Sequence, residues 1–347
     1  MRAAIFETYR QPLEIRDLPD PACPPDGAIV EVKACGVCRS DHHSWSGADP
    51  ITLPHVPGHE FSGIVTEVGP LCRRFKKGDR VTAPFILGCG ICPDCQSGHA
   101  TICNDQITVG FAIWGAFAER IAIPRADFNL VPLPESLSFE LAAAMGCRVT
   151  TAFQALVERG QVRPGEWVAV HGSGGVGLSA IMIARAIGAR VIATDIRDES
   201  LALAKAAGAE ITVNATAPDL GTAIRDLTGG GVHISVDALG ITQTFDNSIR
   251  SLRKFGRHVQ IGMPVGHHVT VPLPLLDILY ARQVSLLGSR GMPAQGFRPL
   301  LAMVESGHLD LNPLIKRRIA LSEAGAALAA LDSFTGAGIT VIDRFAA

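Results

Sequence analysis

The stretch WVAVHGSGGVGLSAIMIARAIGARVIATD, Trp167 to Asp195, decides the fold. WVAVH is a short apolar run with the length of a strand, and the Ala-rich segment beginning at Leu178 has the length of a helix. Between them stands Gly172-Ser173-Gly174-Gly175-Val176-Gly177. Gly172 permits a tight turn, Gly174 lets the backbone approach a pyrophosphate, and Gly177 allows close packing of helix on strand, with the helix N-terminus facing the anion. The second strand ends in Asp195, twenty-three residues after Gly172. A carboxylate there accepts both ribose hydroxyls and repels a 2′-phosphate, which favours NAD over NADP. Arg197, two positions on, is the feature that would tolerate a phosphate. The bland alternative is a glycine-rich turn with a helix-capping Asp, but strand, glycines, helix and acidic residue in this order favour a dinucleotide.

Four more strand candidates follow: ITVN, HISVDAL, RHVQIG and VSLLGS. Alternating with Ala-rich helices, they extend the βαβ rhythm over residues 151–288 into a doubly wound parallel sheet. The first 150 residues have another texture, rich in Gly and Pro, with short alternations such as AIVEVKA and GIVTEVG, and read as mostly β with irregular loops. After residue 288 a helical segment, FRPLLAMVESGHL, leads to ITVIDRF, an apolar strand able to return to the first domain. The expected organisation is an α/β chain with one domain from 1–150 and 289–347 and a nucleotide domain at 151–288 inserted in it.

CGICPDCQSGHATIC places thiols at Cys89, Cys92, Cys95 and Cys103, two, two and seven residues apart. Four thiolates on a tight loop suit the closed tetrahedral site of structural zinc, whereas catalytic zinc keeps a position open. A ferredoxin-type run has a different final spacing and a proline after its last cysteine, where this chain has Asn104. So short a loop has little core, and the metal would supply its folding energy.

Composition narrows the classes. The chain has 347 residues, 47% hydrophobic and 18% charged, enough for two compact domains. No apolar run reaches membrane-spanning length, and MRAAIFETYR lacks the apolar core of a secretion signal, which together point to the cytoplasm and away from a membrane. A formal charge of -2 and scattered basic residues give nucleic acid no landing site. Nine cysteines in an intracellular chain favour thiolate ligands over disulfides.

A second group of potential ligands is dispersed: Cys38 in CGVCRSDHH, His59 and Glu60 in VPGHEFSG, and Cys147 in AAMGCRVTT. Taken singly, Cys147 reads as a buried thiol, Cys35 and Cys38 as a redox CxxC pair, and His59 as a core histidine. Their conjunction with the four-cysteine lobe and the nucleotide fold resembles the zinc-dependent medium-chain alcohol dehydrogenases, over the whole chain and in order.

The resemblance implies a GroES-like, mainly β catalytic domain beside a Rossmann domain, and two zinc ions per chain. It implies that Cys38, His59 and Cys147 hold a catalytic zinc, with Glu60 beside it as an occasional ligand and Asp41 orienting the His59 ring. By the same resemblance Ser40 and His43 relay the released proton, Arg39 contacts the pyrophosphate and Thr151 lies beside the nicotinamide. The implied reaction is reversible NAD-linked oxidation of primary or secondary alcohols to aldehydes or ketones, in a homo-oligomer, tetramer rather than dimer. His42 has the wrong offset for the relay and reads as a surface residue.

Two departures stand out. Where many relatives carry an Arg near the cofactor phosphates this chain has Thr340, and Arg290 is the candidate substitute. Where relatives restricted to small alcohols carry a second Trp, this chain follows Trp45 with Ala48 and Asp49. That favours a roomier pocket for secondary, cyclic or aryl-substituted alcohols, with Ile113 and Trp114 as candidate walls. Competing readings are a polyol dehydrogenase, whose relatives tend to have a carboxylate at the place of Cys147, a metal-free reductase, which would lack the ligands, and a zinc-stabilised NAD-binding protein without turnover.

Overall fold

The computed structural model describes residues 1–333 and 338–345. Residues 334–337 and 346–347, part of the expected 289–347 segment, lie outside the described residues. Contacts divide the chain into one unit of residues 1–150, 291–305 and 315–347 and another of 151–290 and 306–314. The segment 306–314, assigned to the first domain by the sequence reading, thus groups with the second. Its buried Leu309, Leu311 and Leu314 give it an apolar side that ordinary helical patterning in FRPLLAMVESGHL did not separate from the preceding helix.

The first unit is built on a sheet whose strands lie in the order Ile315–Ala320, Ile339–Arg344, Ala28–Val37, Glu60–Val68, Arg80–Thr82 and Val131–Pro132, with Arg120–Ile123 also pairing with Ala28–Val37. In Ala28–Val37 the alternation of AIVEVKA buries Ala28, Val30, Val32 and Ala34, while Glu31 and Lys33 join outside at 2.6 Å. The ITVIDRF segment does return here: Ile339–Arg344 runs antiparallel to Ala28–Val37, with Thr340 opposite Val37. Phe6, Phe61 and Phe117, fully or almost fully buried, fill the core under this sheet.

The second unit holds six parallel strands in the order Ile211–Asn214, Arg190–Asp195, Trp167–His171, Val232–Asp237, Leu252–Gln260, Ser285–Gly288, the doubly wound arrangement expected. Every residue of Trp167–His171 is buried, which explains why the strand reads as an unbroken apolar run rather than an alternation. Leu252–Gln260 begins five residues before the RHVQIG motif. Polar and charged Arg253 and Lys254 hid that start from an apolar pattern.

Candidate metal centres and nucleotide loop

The four-cysteine lobe closes as its spacing requires. The Sγ atoms of Cys89 and Cys95 are 3.9 Å apart and those of Cys92 and Cys103 3.8 Å apart. A tetrahedron with metal–sulfur bonds of about 2.3 Å has sulfur–sulfur edges of about 3.8 Å, so the sulfurs already stand where a zinc would hold them. A disulfide needs about 2.0 Å, and all four thiols are free. The turn geometry comes from Pro93 at the start of the short helix Pro93–Gln96, whose cap is Cys92. Backbone N–H groups of Cys92 and Cys95 donate to the sulfurs of Cys89 and Cys92 at 3.3 and 3.4 Å. Such bonds lower the Cys89 thiol to about 6, whereas burial pushes Cys95 up to about 12. Buried Asn129 fastens the lobe by exchanging hydrogen bonds with both backbone groups of Gly88, at 2.9 and 3.1 Å. Otherwise the lobe's own core is little more than Ala100 and Phe128 around the cysteines, so a bound metal would supply much of its folding energy.

The dispersed ligands also converge. Ligand atoms of Cys38, His59, Glu60 and Cys147 all lie within 4.8 Å of one another, and all four residues are buried. Cys38 caps the helix Arg39–Ser46 at the end of strand Ala28–Val37, His59 precedes strand Glu60–Val68, and Cys147 sits in the π-helical segment Met145–Val149. Such wide turns recur at functional sites because they re-aim side chains. Asp41, in the first turn of its helix, accepts from the backbone N–H of Cys38 at 2.9 Å and of Gly58 at 3.1 Å, and pairs with His59 Nδ1 at 2.7 Å. His59 Nε2 is left buried with no hydrogen-bond partner. An orphaned imidazole nitrogen facing two thiols fits a zinc site, because the ion would satisfy the group that nothing else satisfies.

The local charge balance agrees. A hydrogen bond from Cys147 lowers Cys38 well below the usual thiol range, while that contact together with burial raises Cys147. Zinc binding would require both thiols as thiolates. Glu60 is fully buried, and burial pushes its carboxyl up to about 7 against the pull of Arg148. Arg148 is the residue the sequence reading missed. Its Nε and Nη2 donate to Glu60 Oε1 and Oε2 at 3.1 and 2.6 Å. The rings of Phe85 and Phe111 pack against His59 at centroid distances of 5.7 and 5.4 Å.

The remaining expected residues distribute unevenly. Ser40 and His43 are half-buried, three apart on the same helix and so on adjoining parts of one face. Burial lowers the His43 pKa. His42 is not a surface residue: it is 6% exposed, lies 5.5 Å from the Trp45 ring and bonds Asp332 at 2.8 Å. It belongs to the inner face of an amphipathic helix, which a two-histidine run does not reveal. Trp45 is core, its indole donating to the Gln11 carbonyl at 2.7 Å, while Trp114 is 39% exposed. Cys35 faces the Gly36 carbonyl and stands outside the ligand group that includes Cys38.

In the second unit Gly172 takes φ +92°, in the left-handed region, and leads to the helix Gly175–Ile187 capped by Gly174. A Cβ on Gly177 would lie 1.9 Å from the Gly172 carbonyl oxygen, whereas one on Gly174 would meet nothing within 4 Å. The first is a packing constraint and the second an open approach. Asp195 accepts from the backbone N–H of Ser173 at 2.9 Å and of Arg197 at 3.0 Å, which fixes the carboxylate beside the glycine loop. Thr151 is buried and Arg290 exposed.

Residues 24–135 match the alcohol dehydrogenase GroES-like domain, and residues 175–306 match the zinc-binding dehydrogenase domain. The chain is 38% identical to an alcohol dehydrogenase of Geobacillus stearothermophilus over 83% of its length and 84% of that protein. It is 30% identical to an NAD-dependent alcohol dehydrogenase of Sulfurisphaera tokodaii over 99% of both. The solved alcohol dehydrogenase TADH from Thermus sp. ATN1 superposes with a TM-score of 0.92 at 30% identity, covering 99% of this chain and 100% of that one. The chain belongs to the zinc-dependent medium-chain alcohol dehydrogenase family.

Proposed function

We propose that Cys38, His59 and Cys147 hold a catalytic zinc, that Cys89, Cys92, Cys95 and Cys103 hold a structural one, and that the enzyme oxidises alcohols with NAD, reversibly, to aldehydes or ketones. The observation that carries this reading is the buried, unpartnered Nε2 of His59 facing two thiols while Asp41 holds Nδ1. When bound, zinc supplies Lewis-acid polarisation of the alcohol oxygen. Ser40 takes the hydroxyl proton and His43 receives it at the outer end of the relay. Burial lowers the His43 pKa, which favours the neutral ring. NAD, when bound, would supply the hydride acceptor, and the chain would contribute its position and field.

In this reading the first unit is the catalytic domain and the second the NAD domain. Gly172, Gly174, Gly175, Val176 and Gly177 cradle the pyrophosphate at a helix N-terminus, Asp195 binds the ribose, and Thr151 lies beside the nicotinamide. Arg39 contacts the pyrophosphate, and Arg290 replaces the anion contact missing at Thr340. Trp45 turned into the core, Ala48 exposed and two phenylalanines flanking His59 favour bulkier secondary, cyclic or aryl alcohols. We also assign a cytoplasmic homo-oligomer, a tetramer in preference to a dimer. The exposed Leu275, Leu276 and Tyr280 near the sheet's edge strand Ser285–Gly288 support association, which light scattering would measure. Among the described residues no helix is long and apolar enough to cross a membrane.

Initial rates across ethanol, butan-1-ol, butan-2-ol, cyclohexanol and benzyl alcohol, with NADP in parallel, test the reading. Faster turnover of the bulkier alcohols with NAD is expected. Ethanol preference would refute the pocket assignment, and no oxidation by a protein holding two zinc ions would turn the search to polyols or to NAD sensing.

A further inference from the structure

The catalytic site as built contains one ligand too many. A fourth protein ligand would complete a closed tetrahedral set of the structural kind, yet catalysis needs an exchangeable position. Glu60 is that surplus group: it is fully buried, it follows His59 directly in the chain, and one of its oxygens lies within 4.8 Å of the two sulfurs and the imidazole nitrogen.

Arg148 addresses the same carboxylate from the opposite direction. Its fork engages both Glu60 oxygens, at 3.1 and 2.6 Å, and its backbone N–H approaches Oε1 at 3.4 Å. Nη2 also donates to the Val37 carbonyl at 2.6 Å, the residue before Cys38. One guanidinium, itself next to Cys147, therefore ties together the three segments that carry the ligands. The carboxylate's berth is cut to size as well. A Cβ on Gly36 would lie 2.1 Å from Glu60 Oε2, and one on Gly146 would lie 2.9 Å from Glu60 Cα. Only bare backbone on both sides lets the carboxylate lie where the fork can hold it.

We propose that Arg148 is a positioning residue that holds Glu60 off the catalytic metal and so reserves the fourth coordination position for exchangeable ligands. The proposal rests on reading Cys38, His59 and Cys147 as the catalytic zinc ligands. A bidentate guanidinium–carboxylate pair competes well with metal ligation because it satisfies both oxygens at fixed geometry. Removing the cation leaves a buried carboxylate with a long backbone hydrogen bond from residue 148 and otherwise the ion to turn to.

The test replaces the catalytic zinc by cobalt(II) and titrates imidazole, a probe that needs an open metal position, while recording the visible spectrum. Arg148→Met should change the cobalt spectrum in the absence of imidazole and weaken imidazole binding at least tenfold. Adding Glu60→Gln should bring imidazole affinity back to within about threefold of the Glu60→Gln protein alone, since a neutral amide is a far poorer ligand than a carboxylate. A residue that merely stabilises the fold would give a loss that Glu60→Gln does not repair. Unchanged imidazole affinity in Arg148→Met, or a loss that persists in the double variant, overturns the proposal.

Should Arg148→Met not fold, Arg148→Lys keeps the charge but grips only one oxygen. It should weaken imidazole binding by a smaller factor, again repaired by Glu60→Gln, and a parent-like Arg148→Lys overturns the proposal. Metal analysis separates the two levels. A parent chain that cannot hold a second metal refutes the zinc assignment itself, whereas two metals with no Glu60-dependent effect refute only the role of Arg148.

Discussion

Asp41 Oδ1 lies 2.7 Å from His59 Nδ1 with both side chains wholly buried, and the same carboxylate accepts from the backbone of Cys38 and Gly58. Asp41 thereby sets the tautomer of one proposed ligand and the backbone position of another. An Asn at this place keeps the size but can accept through only one of its two heads, so one buried N–H must lose its acceptor. Asp41→Asn should weaken zinc binding by about 10–100-fold, the range found when the carboxylate behind a ligating His is lost. Competition with a chelator measures this directly.

The two metal sites should fail differently. Cys38→Ser removes a ligand from a centre embedded in the core of the first unit and should abolish turnover, with NAD binding retained because the nucleotide loop lies in other residues. Cys95→Ser opens a lobe that has almost no core and should lower the melting temperature. If both variants lose only catalysis and melt like the parent, the division into catalytic and structural metals is wrong.

Most of this site is legible in sequence where chemistry and spacing coincide. Four cysteines within fifteen residues and glycines between a strand and a helix report local geometry, and local geometry is what a linear pattern encodes. The Arg148–Glu60 pair spans 88 residues and no periodicity links its members. The burial of His42 escapes a linear pattern for a related reason: its ring bonds Asp332, 290 residues away. The catalytic ligands lie between these extremes. Their spacing is uninformative and only resemblance joined them, yet the fold brings their ligand atoms within 4.8 Å of one another.

A buried polar network in the second unit predicts acid sensitivity. His171 bonds Ser235 and Thr194 at 3.1 and 3.3 Å, and Ser248 links Ser235 to His258 at 2.8 and 2.7 Å. Burial lowers His171 to about 3, with His258 lowered also by burial. Each folded-state value lies below the unfolded one, so the unfolded chain binds more protons once the pH drops under about 6.5, and stability present above that value is lost as the pH falls. His171 alone should cost about 1.4 kcal/mol per pH unit between about pH 6.5 and about pH 3. Thermal unfolding at about pH 7.5 and about pH 5.5 should show this loss, and His171→Gln should reduce it.

Asp195 is held by the N–H groups of Ser173 and Arg197 and so presents a fixed negative edge beside the loop. Asp195→Ala removes both the proposed ribose acceptor and the repulsion toward a 2′-phosphate. The KM for NAD should rise at least about tenfold, the scale of losing a charged hydrogen-bond acceptor of about 1.5 kcal/mol or more. With Arg197 two residues away, the KM for NADP should fall or stay level. Parallel rises for both cofactors would mean that Asp195 serves the loop alone.

Gly174 and Gly177 share a loop but should report opposite things when given a methyl group. At Gly177 the added Cβ would sit 1.9 Å from the carbonyl oxygen of Gly172, an approach that backbone must move to relieve. Gly177→Ala should therefore lower the melting temperature and weaken NAD binding together, because helix and strand can no longer close. At Gly174 nothing lies within 4 Å and the φ of -76° suits any residue, so Gly174→Ala should melt like the parent. Its methyl group instead intrudes where the pyrophosphate must approach the helix N-terminus, and NAD affinity should drop while the fold stands. Calorimetric titration of NAD alongside thermal melts separates the cases. Normal NAD binding by a stable Gly174→Ala protein would mean that the cofactor phosphates do not pass over this turn.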